Sequence, residues 1–144
     1  MKYLYGTRNI WILPFALLLL SGCTFPSKFE VFNNTGDEVR VIQVIAENRK
    51  SFDLAPGDSL IFEQWEAFSE AQFTVIAGDK RWQYKPVYIS HDFGKLRRFS
   101  HWLFKLQIEK DGSVFVLGPN NEFPQKEHVA QPEGYPLRPS DENV

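Results

Sequence analysis

The chain has 144 residues, with 16 basic and 18 acidic side chains and a formal net charge of −2 at pH 7. That size suits one domain, and a mildly acidic balance argues against nucleic acid as a partner, which calls for a basic face or stripe. Cys23 is the only cysteine, so no intramolecular disulfide is available. A core must then be built from large apolar side chains, among them 13 Phe, 5 Tyr and 4 Trp.

The first element is a short N-terminal segment. Lys2 and Arg8 head it, residues 10–20 form an apolar run, and Ser21-Gly22-Cys23 closes it. A bilayer-spanning helix needs roughly 20 consecutive apolar residues. This run is shorter and contains Pro14, so the tripartite layout reads as a secretory signal peptide over residues 1–22. An uncleaved anchor helix, or an ordinary cut before an unmodified Cys23, are the alternatives. Leu20-Ser21-Gly22-Cys23 resembles the lipobox of bacterial lipoproteins. The resemblance implies cleavage before Cys23, a diacylglycerol on its thiol and an acyl chain such as palmitate on the new amino terminus. It also removes the liability of a lone free thiol in an oxidising compartment. Thr24-Phe25-Pro26 lacks the Asp that retains such proteins at the inner membrane. The expected location is therefore the bacterial cell envelope, at the outer membrane and facing the periplasm. Residues 23–27 are the lipidated terminus and a short tether, and no cofactor beyond the lipid is expected. Without residues 1–22, 14 basic and 18 acidic side chains remain, a net charge of about −4.

Residues 28–117 alternate as strands. Phe29 and Val31 share one face, and residues 33–37 (Asn-Asn-Thr-Gly-Asp) supply a turn, which is all the glycosylation-like Asn33-Asn34-Thr35 signifies. Residues 38–47 place Val39, Val41 and Ile45 on one face and Ile42 and Val44 on the other, the pattern of a central or bulged strand. Residues 47–50 read as a hairpin loop into a strand over 51–54. Ala55-Pro56-Gly57-Asp58 is a strong turn. Strands follow over 59–65 and 71–77, with one helical turn possible over 66–70. Gly78-Asp79 leads into a strand over 80–89, in which Pro86 predicts an edge position or a bulge. Short turns are expected over 93–100. Trp102, Phe104, Leu106 and Ile108 then face one way, Asp111-Gly112 predicts a tight primed turn, and residues 113–117 return. Seven or eight such strands predict an all-β, small antiparallel β-sandwich, with a small barrel as the alternative. Asn33-Asn34-Thr35-Gly36 followed by strands and Ala55-Pro56-Gly57-Asp58 resembles the layout of small periplasmic immunoglobulin-like or transthyretin-like modules.

From residue 118 to 144 the chain turns Pro-rich and poor in large apolar groups. It reads as an extended tail, a solvated terminus that could be partly pinned to the sandwich. Phe123 or Gly134-Tyr135-Pro136-Leu137 could alternatively dock on a partner.

The most unusual local chemistry lies over residues 90–101. Lys95, Arg97, Arg98 and His101 form a candidate site for a partner or an anion, because guanidinium forks match carboxylates and phosphates. On a tethered protein the same residues could meet anionic headgroups. His91, Asp92 and His101 are acceptable metal ligand types without an organising spacing, so no metal is expected. No serine sits in a Gly-x-Ser-x-Gly elbow, and adjacency does not make Ser90-His91-Asp92 a triad. Trp82 and Trp102 are in phase with core positions, whereas Trp65 is the tryptophan expected to be exposed. No catalytic constellation is found. The chain is expected to be a non-enzymatic, membrane-anchored binding or assembly module with an envelope protein partner. The alternatives are a lipoprotein subunit of a secretion or surface apparatus, or a small envelope enzyme or enzyme inhibitor.

Overall fold

In the computed structural model the described residues are 26–45, 48–64, 72–85, 88–97, 100–128 and 130–140. The signal segment, Cys23, Trp65, the helical turn at 66–70, Pro86 and Arg98 lie outside them. Nine strands are described: β1 (Ser27–Asn34), β2 (Val39–Ile45), β3 (Asn48–Leu54), β4 (Ser59–Gln64), β5 (Gln72–Ala77), β6 (Lys80–Tyr84), β7 (Lys95–Arg97), β8 (His101–Glu109) and β9 (Val114–Leu117). They form a sandwich of two sheets, not a closed barrel. One sheet runs β4-β1-β8 and the other β3-β2-β5-β6. β7 pairs with the start of β8 and β9 with its end, so the two short strands share the edge of β8 that β1 leaves open.

Alternation explains the core. Phe29 and Val31 of β1 meet Phe104, Leu106 and Ile108 of β8 and Val114 and Val116 of β9 on the inner face of the first sheet. Val39, Val41, Leu54, Val75, Ala77, Trp82 and Tyr84 face them from the second. Phe29, stacked on Phe62 and Phe104, is 1% exposed, and burying such a side chain is worth about 2–3 kcal/mol. β2 is apolar on both faces because it is central, lying between β3 and β5. β6 is an edge strand.

Asn33 fixes the crossing between the sheets. Its Nδ2 donates to the carbonyls of Asp37 and Leu54, and its Oδ1 accepts from the N–H and hydroxyl of Thr35. Its backbone N–H donates to Asp58, and its carbonyl accepts from Gly57. A fully buried amide is tolerated because every polar atom of it is matched. The turn after β3 relies on Gly57 at φ 84°, a left-handed conformation that glycine adopts without penalty.

The structure departs from the sequence pattern in several places. There are nine strands rather than seven or eight, because residues 90–101 are not a plain loop: they contain a 3-10 turn, His91–Phe93, and the edge strand β7. β1 and β8 are parallel within an otherwise antiparallel pair of sheets. Asn48, Arg49 and Lys50 belong to β3, paired with Ile45, Val44 and Gln43, rather than to a hairpin loop. β6 ends at Tyr84, and Ile89 is buried beyond it. The hairpin between β8 and β9 is a three-residue loop, not a two-residue primed turn. Glu109 pairs with Ser113, and Gly112 sits at φ 80°.

The segment after Leu117 is extended and pinned to the sandwich more firmly than a solvated terminus, although Asn120, Glu122, Lys126 and Glu127 remain exposed. Tyr135 and Leu137 are 9% and 5% exposed and belong to the core, and Leu137 exchanges two backbone hydrogen bonds with Val114. Ser140 bridges to Gln83 of β6. A chain too poor in apolar groups to fold alone is ordered here by the surface already present, which offsets the entropy of fixing it.

Candidate functional site

The outer face of the first sheet has two halves. β1 presents Lys28, Glu30, Phe32 and Asn34 outward, and β8 presents Leu103, Lys105, Gln107 and Glu109, since their alternate neighbours fill the core. Call the end at Ser27 and Trp102 the near end and the end at Asn34 and Glu109 the far end.

The far half is covered by the C-terminal segment. Phe123 stacks on Phe32 at 4.8 Å between ring centroids, with Lys105 Nζ 5.4 Å from the Phe123 ring. Gln107 is fully buried and exchanges hydrogen bonds with the backbone of Gln125, donating at 2.8 Å and accepting at 2.9 Å. Its Nε2 also donates to Glu109 Oε1 at 2.6 Å. His128 stacks on Phe115 and lies 3.2 Å from that same Glu109 oxygen. Gln131 accepts from the Val116 N–H and donates to its carbonyl, so a side-chain amide pairs with β9 as a strand would. Phe123 and the Tyr135–Leu137 stretch, expected as possible docking peptides, are thus engaged with their own chain.

The near half is open. A groove of about 690 Å³ runs over it, with Lys28, Lys95, Arg97 and His101 around Leu103 and the exposed Ile61. Register explains the grouping: Leu103 lies between Lys28 on β1 and Lys95 on β7, and Arg97 pairs with His101. Ser100 tightens the turn between the last two, its N–H and hydroxyl both donating to the Arg97 carbonyl, with Oγ 2.8 Å from His101 Nδ1. Lys95 Nζ donates to Asn120 Oδ1 at 3.2 Å. Among the described side chains Glu30 is the carboxylate that lines the groove, and it accepts from Ser59 Oγ at 3.2 Å; Glu63 of β4 pairs in register with Lys28. Lys95 and Arg97 are exposed.

Of the residues singled out by sequence, Lys95, Arg97 and His101 are brought together; Arg98 and Cys23 lie outside the described residues. Lys28 and Ile61 were missed. They arrive from β1 and β4 through sheet register, and no local pattern announces them. Chemically, cations around an apolar floor suit a group that pairs an anion with hydrocarbon.

The other candidates resolve into structural roles. Ser90 Oγ donates to Asp92 Oδ2 and accepts from the Asp92 N–H, capping the 3-10 turn, while His91 stacks flat on Trp102 at 4.5 Å. His91 is therefore held by an aromatic ring and not by Ser90. Among the described residues no three His, Cys, Asp or Glu side chains are placed to share a metal ion. Trp82 is buried in the core, and Trp102 packs half-buried against it. Tyr84 donates its hydroxyl to the Gly112 carbonyl at 2.6 Å, and burial, reinforced by the nearby Asp111 carboxylate, pushes its pKa far above the ordinary phenol range. Asp111 accepts from the Ser113 N–H and hydroxyl, and the backbone bond above all holds its carboxyl below the usual range. Both groups serve the loop between β8 and β9.

No family model matches this chain, and no curated protein or solved structure matches it.

Proposed function

We propose that the protein is a lipid-anchored, non-enzymatic component of the bacterial envelope whose β-sandwich works as a binding or assembly module. The observation that carries this reading is the pairing of the Leu20-Ser21-Gly22-Cys23 lipobox with a folded domain that begins at Ser27. Two or three acyl chains hold a protein at a bilayer in a way that a single chain does not. So short a connection keeps the sandwich at the surface, where a partner in the same envelope meets it in two dimensions. The open groove beside Lys95, Arg97 and His101 supports a binding role.

The test is metabolic labelling with palmitate followed by cross-linked co-purification of the tagged chain from its native envelope. Label on the wild type and none on Cys23→Ser, with one envelope protein recovered at near-equal amounts only from the acylated form, is the expected result. Unlabelled wild type would end the lipoprotein reading, and reproducible turnover by the purified protein would end the non-enzymatic one.

A further inference from the structure

We infer that the near end of the sandwich, led by Lys95 and Arg97, is a binding surface for anionic phospholipid headgroups, so that the anchored domain stands on the bilayer in one orientation. This rests on the lipoprotein reading of Cys23.

Two independent observations lead there. The first is reach. From Cys23 to Ser27 is four residues, which span at most about 14 Å whatever their conformation. Ser27 pairs with Trp102 and with Gln64, and the Trp102 N–H donates to the Pro26 carbonyl at 2.9 Å, so the chain enters at the near end already docked on β8. Arg97 pairs with His101, next to Trp102. The guanidinium therefore lies on the end that the lipid holds down. The far end is about 23 Å further away along β1.

The second is charge. The far-end connections, residues 35–38, 55–58, 78–79 and 110–112, carry Asp37, Glu38, Asp58, Asp79 and Asp111 against Lys110, with Lys126 and Arg138 of the C-terminal segment beside Asp111. An anionic surface repels that end. At the near end the groove holds Lys28, Lys95 and Arg97 against Glu30. Its apolar floor, Leu103, and the exposed Ile61 beside it suit the boundary between headgroup and acyl chain. Other carboxylates of the near-end connections in sequence are Glu47, Glu66, Glu70 and Asp92, beside the cations Lys85 and Arg98, and Glu63 of β4 pairs in register with Lys28. The attraction is assigned to the β7 side, where Lys95 and Arg97 are exposed. Phosphate is the shared chemistry of a lipid headgroup and a free ion, and the tether favours the headgroup.

The experiment uses the full chain, processed in cells and reconstituted into vesicles. Acylation consumes the only native thiol, so Ser100→Cys at the near end or Asp58→Cys at the far end supplies a unique position for an environment-sensitive dye. Vesicles contain phosphatidylethanolamine with either phosphatidylglycerol or phosphatidylcholine, plus a headgroup nitroxide as quencher. The expected result is quenching at Ser100→Cys about threefold stronger than at Asp58→Cys in phosphatidylglycerol. The difference should shrink when the lipid is neutral, when salt is raised, or in Lys95→Glu/Arg97→Glu.

Equal quenching at the two positions on bound protein overturns the orientation and leaves the anchor intact; a groove used by an acidic protein partner would give this result. Loss of the difference with inorganic phosphate at constant ionic strength overturns the headgroup assignment in favour of a free-anion site. Dye on the unsubstituted protein, with failure to float with vesicles, shows Cys23 unmodified and overturns the lipoprotein reading itself.

Discussion

The two halves of the outer face of the first sheet are built from the same strands and the same alternate positions, yet they have opposite fates. In the far half, Phe32, Gln107 and Leu117 are buried under residues 118–140; in the near half, Lys95, Arg97 and Ile61 face solvent. Strand alternation alone treats both halves as exterior. What separates them is whether a later segment returns to cover them. The cover is also polar where it needs to be, because Gln107 and Gln131 match the hydrogen-bonding groups that burial would otherwise orphan. One half has become a second layer of core, and the other is left as an open groove.

That contrast can be broken most severely at the C-terminal segment. Leu137→Ala removes a side chain buried in the core and should cost about 2–5 kcal/mol, read as a lowered denaturant midpoint. A loss below about 0.5 kcal/mol would mean that the segment is a passenger. Gln107→Ala should cost about 1–3 kcal/mol, since it leaves the Gln125 backbone groups without their partner beneath the cover. Limited proteolysis should then cut near residues 121–127 before the sandwich unfolds.

Tyr84→Phe should cost about 1 kcal/mol near neutrality, because the buried Gly112 carbonyl loses its donor. It also changes the alkaline limb. The folded-state pKa of Tyr84 is raised, so its contribution is complete below the unfolded value near pH 10 and is lost as pH rises above it. Wild-type stability should fall above about pH 10, and the variant should fall less steeply. Asp111 has the opposite sign: its pKa is depressed, so its contribution is present above the unfolded carboxylate value and is lost as pH falls through the folded one. Asp111→Asn should flatten the acid limb of a chemical-denaturation series slightly, because the carboxylate is largely exposed to solvent screening. The smallest effect belongs to the open half. Ile61→Ser, at a side chain 53% exposed, should change stability by less than about 0.5 kcal/mol. A loss several times larger would show that the near half is covered after all.

Much of the architecture was legible locally. Val39 and Val41 against Ile42 and Val44 identified a strand apolar on both faces, and β2 is central. Trp102, Phe104, Leu106 and Ile108 identified the inward face of β8, and Ala55-Pro56-Gly57-Asp58 identified the turn that carries the chain from β3 in one sheet to β4 in the other. Of the candidate site, Lys95, Arg97 and His101 were visible because they lie within seven residues of one another in sequence. Lys28 and Ile61 were not, since they reach the groove only through the parallel register of β1 with β8 and the pairing of β1 with β4.

The amino-acid sequence by itself determined the all-β class and the inward faces of the strands, because alternation and turn chemistry are short-range patterns. Only the tertiary structure decided that Tyr135 and Leu137 complete the core, that Phe123 lies on Phe32, and that β7 forms at all. The physical reason is the same in each case. These segments bury too little surface of their own to order themselves, and their stability comes from a partner surface contributed by residues far away in the chain.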